Sequence, residues 1–273
     1  MRSTMYSRML FGLAIVLVFI WLVPVMWVVL TSVKPTNIIN SAVPIFFDFA
    51  PTLDHYVEVF ERFRFGRSML NSFVTVGVST LIVMIIALPA AYAVARMNLM
   101  HGDTWALVIL SLRFMPGMVI VLPYFKIATF LNLIDTQIVL IVVYVAFGLP
   151  FAVWILRGFL LDLPKDIEEA GRLDGLSWIQ IIFRLIMPMA APGIAVTAIF
   201  TFVFSWNEFL FALFLTLDKG STMPVALQKT IDLYNVLWGS LSAGAVLQLL
   251  PMILVVFLLQ KHIARGLALG AVK

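Results

Sequence analysis

Residues 164–192 read PKDIEEAGRLDGLSWIQIIFRLIMPMAAP, and six of the first eleven side chains, Lys165, Asp166, Glu168, Glu169, Arg172 and Asp174, are charged. That density is foreign to the rest of the chain. Of its 273 residues 63% are hydrophobic and only 12% are charged. A soluble domain of this length is about a quarter charged, so this chain cannot solvate itself and reads as an integral membrane protein. The quoted stretch is a polar island between two apolar segments.

Its local chemistry predicts two short helices. Pro164 suits a first helical turn, where its missing N–H would have no partner anyway. Asp166, Glu168 and Glu169 crowd the N-terminal half, where negative charge meets the positive end of the helix dipole. Gly175 supplies a left-handed stop. Ser177 starts the second helix, with Gln180 completing a capping box. Pro188 and Pro192 bracket the return into the next apolar segment. The first helix is amphipathic and leaves Ile167, Ala170, Gly171 and Leu173 to dock against something else.

Outward from the island, crossing the hydrocarbon core takes about 20 apolar residues in helix. The predicted organisation is a short N-terminal segment 1–8, then spans at 9–33, 68–95, 104–125, 136–157, 191–216 and 240–261. Between them lie loops 34–67, 158–190 and 217–239, with a C-terminal tail at 262–273. The expected fold is therefore an all-α integral membrane protein with six transmembrane helices in one domain. The 9–33 segment is too long for a signal-peptide core and lacks a small-residue cleavage site, so it reads as an uncleaved first span.

An even number of spans puts both termini on one side. With termini inside, ten basic residues (Arg2, Arg8, Arg96, Arg157, Lys165, Arg172, Arg184, Lys261, Arg265 and Lys273) fall inside and seven fall outside. The positive-inside rule favours that orientation. Prolines 24, 89, 116, 150 and 251 sit within spans, where freed carbonyls and kinks suggest walls around a cavity. Ala87, Ala91 and Ala95, four apart in ALPAAYAVAR (87–96), form a small-residue seam for close helix packing. VEVFERFRF (57–65) reads as a short interfacial helix or a docking surface.

Several functions are excluded or disfavoured. No cysteine is present, which removes disulfides and thiolate metal sites. No G-x-x-x-x-G-K-[ST] loop occurs, so no P-loop nucleotide site exists in the chain, and no H-E-x-x-H metal motif occurs either. His55, His101 and His262 all fall in predicted loops or the tail, leaving no base at membrane depth for hydrolysis. No basic run points to nucleic acid. Catalysis by this chain, with a cofactor or metal of its own, is not expected.

Two charges do lie inside spans, where ionisable groups are costly and by default functional. At 1.5 Å per residue Arg113 lies roughly 14 Å, and Glu208 roughly 26 Å, from the same side of the membrane. That offset argues against a direct ion pair. Arg113 either meets a structural partner or faces a cavity, and Glu208 either snorkels to the far interface or serves as an ion site. The latter would make the chain a self-sufficient, ion-coupled secondary carrier.

EAGRLDG (169–175), followed nine residues later by LIMP (185–188), resembles the EAA signature of bacterial ABC importer permease subunits. Gly171 replaces the second alanine, Leu185 the isoleucine and Met187 the leucine, with both spacings kept. SWNEFLFAL (205–213) and RGLALGAVK (265–273) resemble the carbohydrate-uptake branch, in its smaller, maltose-type six-span partner. LRFMPGMVIVLP (112–123) is similar to a sub-branch handling sugars, polyols and sugar derivatives, with Gly117 where that pattern has a second proline.

The resemblance implies a permease in the bacterial inner membrane, importing a carbohydrate-like solute. Its partners would be a homologous second permease, an ATP-binding cassette ATPase pair that binds the ATP and Mg, a periplasmic solute-binding protein, and surrounding lipid. It implies a cytoplasmic coupling helix between spans four and five, with Glu168, Glu169, Ala170, Gly171, Asp174, Gly175 and Pro188 as coupling residues. Arg113, Asn207 and Glu208 are the translocation-pathway candidates. The last external loop, at Ser221, Thr222, Met223 and Pro224, would meet the binding protein.

Overall fold

The computed structural model describes the backbone of residues 2–97, 101–232 and 235–271, and side-chain surroundings for residues 9–97, 101–232 and 235–258. In chain order the helices are α1 (Arg2–Ser32), α2 (Thr36–Ile39), α3 (Asp54–Glu61), α4 (Phe65–Arg96), α5 (Gly102–Ser111), α6 (Gly117–Phe130) and α7 (Gln137–Leu161). There follow α8 (Asp166–Leu173), α9 (Trp178–Gln180), α10 (Met187–Met189), α11 (Ala191–Trp206), α12 (Leu210–Leu215), α13 (Met223–Gln228) and α14 (Trp238–Ala271). Among the described residues the one extended pairing is an isolated antiparallel bridge between Ile231 and Val236. The chain divides into two compact units, residues 1–66 with 226–250 and residues 67–225 with 251–273.

In the first unit, the segment after α1 is pinned by a buried lysine. Lys34 donates to the Ile45 carbonyl at 2.7 Å and lies 4.6 Å from the ring centre of Trp27. Part of the 57–65 stretch is helical in α3, which ends at Glu61, with Val59 fully buried and Val57 and Phe60 exposed. His55, expected within the loop at 34–67, is in a helix. It sits buried in the first turn of α3, and its Nε2 bonds the Lys34 carbonyl at 2.8 Å.

In the second unit the alanine seam packs within the chain. Ala87 and Ala91 are fully buried in one cluster with Ala152, Leu156 and Leu160 of α7. Lipid tails are as apolar as leucine, so what holds this contact is close packing and not release of water.

Among the described residues four helical segments are long and apolar enough to cross a membrane alone: Met9–Ser32, Phe65–Arg96, Gln137–Leu161 and Trp238–Leu258. The other two predicted spans are interrupted. The third, expected as one helix over 104–125, bends by 82° between Phe114 and Gly117. Its cause is local: Pro116 bars the α conformation to the residue before it, and Met115 is extended at φ −63°, ψ 129°. The fifth, expected over 191–216, ends as α11 at Trp206 and resumes as α12 at Leu210. The predicted tail at 262–273 is no separate segment, because α14 continues to Ala271. Residues 272–273, at the end of the RGLALGAVK motif, lie outside the described residues.

The polar island folds nearly as its sequence indicates. α8 carries Asp166, Glu168 and Glu169 in its first turn, Gly175 takes φ +79°, and Ser177 and Gln180 close a capping box. Pro164 departs from expectation: it precedes Lys165, the N-cap of α8, and so stands outside the helix. The second helix holds a π-helical stretch, Ile181–Ile186, that no local signal announced. It then bends by 82° into α11.

Candidate functional site

Three places within the second unit hold the candidate functional residues. The first is α8. Glu168, predicted to face a partner, is turned inward and is 4% exposed. The Tyr92 hydroxyl donates to its Oε2 at 2.7 Å, and Arg96 pairs with its Oε1 at 3.2 Å. Arg96 also donates to the carbonyls of Leu160 and Leu163. The helix is thus riveted from behind to the end of α4. Gly171 likewise faces its own chain, and a Cβ there would lie 2.7 Å from the tip of Leu185. These two residues correct the expected docking face, because the amphipathic pattern identified a buried side without saying which chain covers it. Glu169, Ala170, Asp174 and Gly175 remain exposed, as does Pro188, and Leu173 is 89% exposed. The Arg172 guanidinium covers the Trp178 ring at 4.0 Å.

The second place is a cavity of 270 Å³ where the broken third span, α7, α11 and α12 meet. Arg113 and Glu208 both line it. The straight-helix depths placed them too far apart to meet, but breaks at Met115 and Asn207 invalidate that geometry. They make no ion pair. Arg113 donates to the Phe147 carbonyl at 2.7 Å and lies over the rings of Phe204 and Phe151 at 4.8 and 5.5 Å. Glu208 does not snorkel outward: its carboxylate accepts the N–H groups of Phe211 and Ala212 at 2.9 and 3.2 Å, capping α12. Tyr144, whose hydroxyl is buried, faces Glu208. Asn207 is not in the lining. Its amide folds back on the Val203 carbonyl at 2.8 Å.

The third place is the start of the last loop. Asp135, itself at φ +62°, accepts four backbone N–H groups, from Leu217, Asp218, Lys219 and Gly220, at 2.9 to 3.1 Å. Partial burial pushes its carboxyl up, but these four bonds outweigh it and hold the group below the usual carboxylate range. Asn71 donates to the carbonyls of Lys219 and Ser221 at 2.8 and 2.9 Å, and Ser72 accepts the Met223 N–H at 2.9 Å. Ser221, Thr222, Met223 and Pro224, predicted to meet an outside partner, are all buried by this clamp. Leu217, Asp218 and Lys219 are the exposed part.

Sequence reasoning missed Tyr92, Arg96, Tyr144 and Asp135. Tyr92 and Arg96 close an otherwise apolar span, and an arginine there is a weak signal for a carboxylate partner. Nothing near Tyr144 or Asp135 in the sequence marks either one.

Relatives agree with this architecture. The chain is 37% identical over 258 residues to a probable ABC transporter permease protein, y4oR, of Sinorhizobium fredii, covering 94% of this chain and 92% of that one. It is 34% identical to the trehalose transport system permease protein SugB of Mycobacterium tuberculosis, covering 92% of each. It is 33% identical to the inner membrane ABC transporter permease protein YcjP of Escherichia coli, covering 96% of this chain and 94% of that one. In fold it resembles a chain of a bacterial ABC transporter involved in import of the acidic polysaccharide alginate, with TM-score 0.75 at 20% identity over 94% of this chain and 96% of that one. Residues 5–269 match the family of binding-protein-dependent transport system inner membrane components, and the chain belongs to that family.

Proposed function

We propose that this chain is one of two permease subunits of a bacterial, ATP-driven, binding-protein-dependent importer of a sugar, polyol or sugar derivative. The observation that carries this reading is the α8 corner. Glu168 anchors it to the membrane helix α4, while Glu169, Ala170 and Leu173 stay exposed. Relatives at 34% and 32% identity, named for trehalose and for trehalose/maltose transport, supply the solute class.

In this reading both termini and α8 lie in the cytoplasm, and α8 seats in a cleft of one ATPase subunit, which with its twin holds ATP and Mg. Closure of the ATPase pair moves α8. The anchor through Tyr92 and Arg96 passes that displacement to α4 as a rigid-body rotation, and the cavity changes the side to which it opens. Linkage makes the coupling reciprocal, so a loaded solute-binding protein outside favours the closed ATPase state inside. Arg113 and Glu208 stand on the path. Leu217 to Lys219, held out by Asp135, face the binding protein in place of the buried Ser221 to Pro224.

The test is solute uptake by the assembled importer carrying Glu169→Lys. Uptake should be abolished while insertion and the amount of permease stay normal. Uptake at the wild-type rate, with the ATPase still required, would remove the coupling role from α8.

A further inference from the structure

The cavity beside Arg113 holds polar capacity that the protein does not use. Arg113 has five N–H donors and spends one on the Phe147 carbonyl. No carboxylate among the described residues lies within ion-pair distance of it. The Tyr144 hydroxyl is buried and turned toward Glu208. Each Glu208 oxygen accepts one backbone N–H and keeps a further lone pair. Hydrogen-bonding capacity left unused away from bulk water is costly, and three side chains from three different helical segments turn theirs to one cavity. Around them stand aromatic rings, Phe147, Phe151, Phe204 and Phe211.

Charge selects among occupants. The lining holds one cation and one anion, so a charged solute gains from one and is repelled by the other at low dielectric. A neutral polyol avoids that conflict, because each hydroxyl both donates and accepts and its C–H faces lie flat on aromatic rings. Size limits it further. At 270 Å³ the space falls below the roughly 300–1,000 Å³ of pockets that enclose drug-sized ligands. It accommodates a single ring.

We infer that this cavity is a carbohydrate subsite for one neutral, pyranose-sized ring. Arg113 donates to its hydroxyls, Glu208 accepts from them, Tyr144 bonds a third, and the phenylalanines pack on its faces. The inference rests on the permease reading and adds that this chain contacts the solute itself, one ring at a time.

The chain has no cysteine, so a single introduced thiol reports on the cavity. Ser205 lines it and is close to cysteine in size. The experiment uses the fully assembled importer in nanodiscs carrying Ser205→Cys. The small neutral reagent methyl methanethiosulfonate is applied with and without ATP, and modification of this chain is followed by mass spectrometry. Glucose, galactose and mannose are the neutral probes, and glucuronate and glucosamine at the same concentrations the charged ones. At least one neutral hexose should slow modification about tenfold or more, with neither charged sugar doing so. Tyr144→Phe and Arg113→Met, each in this background, should raise the half-protecting hexose concentration roughly tenfold. Should Arg113→Met fail to co-purify with the ATPase pair, Tyr144→Phe decides. Modification without protection by any neutral hexose, or equal protection by a charged sugar, overturns the inference and leaves the permease reading standing. A thiol that reacts in neither nucleotide state overturns the inference together with the place of Arg113 and Glu208 on the path.

Discussion

Tyr92 and Glu168 meet at 2.7 Å, hydroxyl to carboxylate, although 76 residues separate them. The bond joins the apolar helix α4 to the most charged stretch of the chain. With Arg96 on the other oxygen, it makes α8 an extension of α4 and not a free arm. A push on α8 is therefore a push on α4.

Removing the carboxylate should expose how much depends on this anchor. In Glu168→Ala the Arg96 side chain, 2% exposed, is left buried without its counter-charge, a loss of about 3–5 kcal/mol. Thermal unfolding of the purified permease pair should fall accordingly, and uptake with it. Glu169→Lys changes an exposed side chain and should leave stability within about 0.5 kcal/mol of wild type, with the melting point nearly unchanged, while uptake is lost. The two variants separate anchoring from docking.

The two glycines of the loop should behave in opposite ways. Gly175→Ala meets no neighbour but keeps φ at +79°, a strain of about 1–2 kcal/mol. At Gly171 an added methyl crowds only the flexible tip of Leu185 and comes into ordinary contact with Ile181 and Leu176, so Gly171→Ala should be nearly neutral. Gly171→Phe should overpack that contact, costing about 1–3 kcal/mol. Chemical denaturation of the set checks this order.

Asp135 should make the loop at 217–220 sensitive to acid. Its folded-state carboxyl is held below the ordinary value, chiefly against partial burial, by four backbone N–H groups. The stabilisation is complete above the unfolded value of about 3.9 and is lost as pH falls through the lower folded value. Hydrogen exchange at Leu217 to Gly220 should stay slow at neutral pH and quicken only in stronger acid than an ordinary aspartate needs. Asp135→Asn should exchange faster at every pH, with that acid step gone.

Glu208 should not be an ion-coupling site. Dissipating the proton and sodium gradients across proteoliposomes of the assembled importer should leave ATP-driven uptake unchanged. Glu208→Ala uncaps α12 and should cost about 0.5–2 kcal/mol, read as a lowered melting point. Transport by this chain alone under an ion gradient would contradict the prediction.

Much of this was legible without coordinates because it depends on near neighbours. The capping box at Ser177 and Gln180, the left-handed Gly175 and the acidic first turn of α8 each involve residues a few positions apart. So does the break after Phe114: Pro116 constrains Met115 directly, yet a hydropathy count passes over it because the flanking residues are apolar on both sides. The second interruption, at Asn207, carries no proline and was invisible for that reason. Depth estimates for Arg113 and Glu208 failed because each assumed an unbroken helix.

The amino-acid sequence alone determined that the chain lives in a membrane, that it is helical throughout, and that its polar island is a helix, a turn and a helix. Composition and short-range backbone preference decide those matters. Which face of α8 turns inward, that Asp135 clamps residues 82 to 85 positions away, and that Arg113, Tyr144 and Glu208 border one cavity were decided only by the tertiary structure. Burial and pairing of a polar side chain depend on groups brought near by packing, and no local pattern encodes that distance.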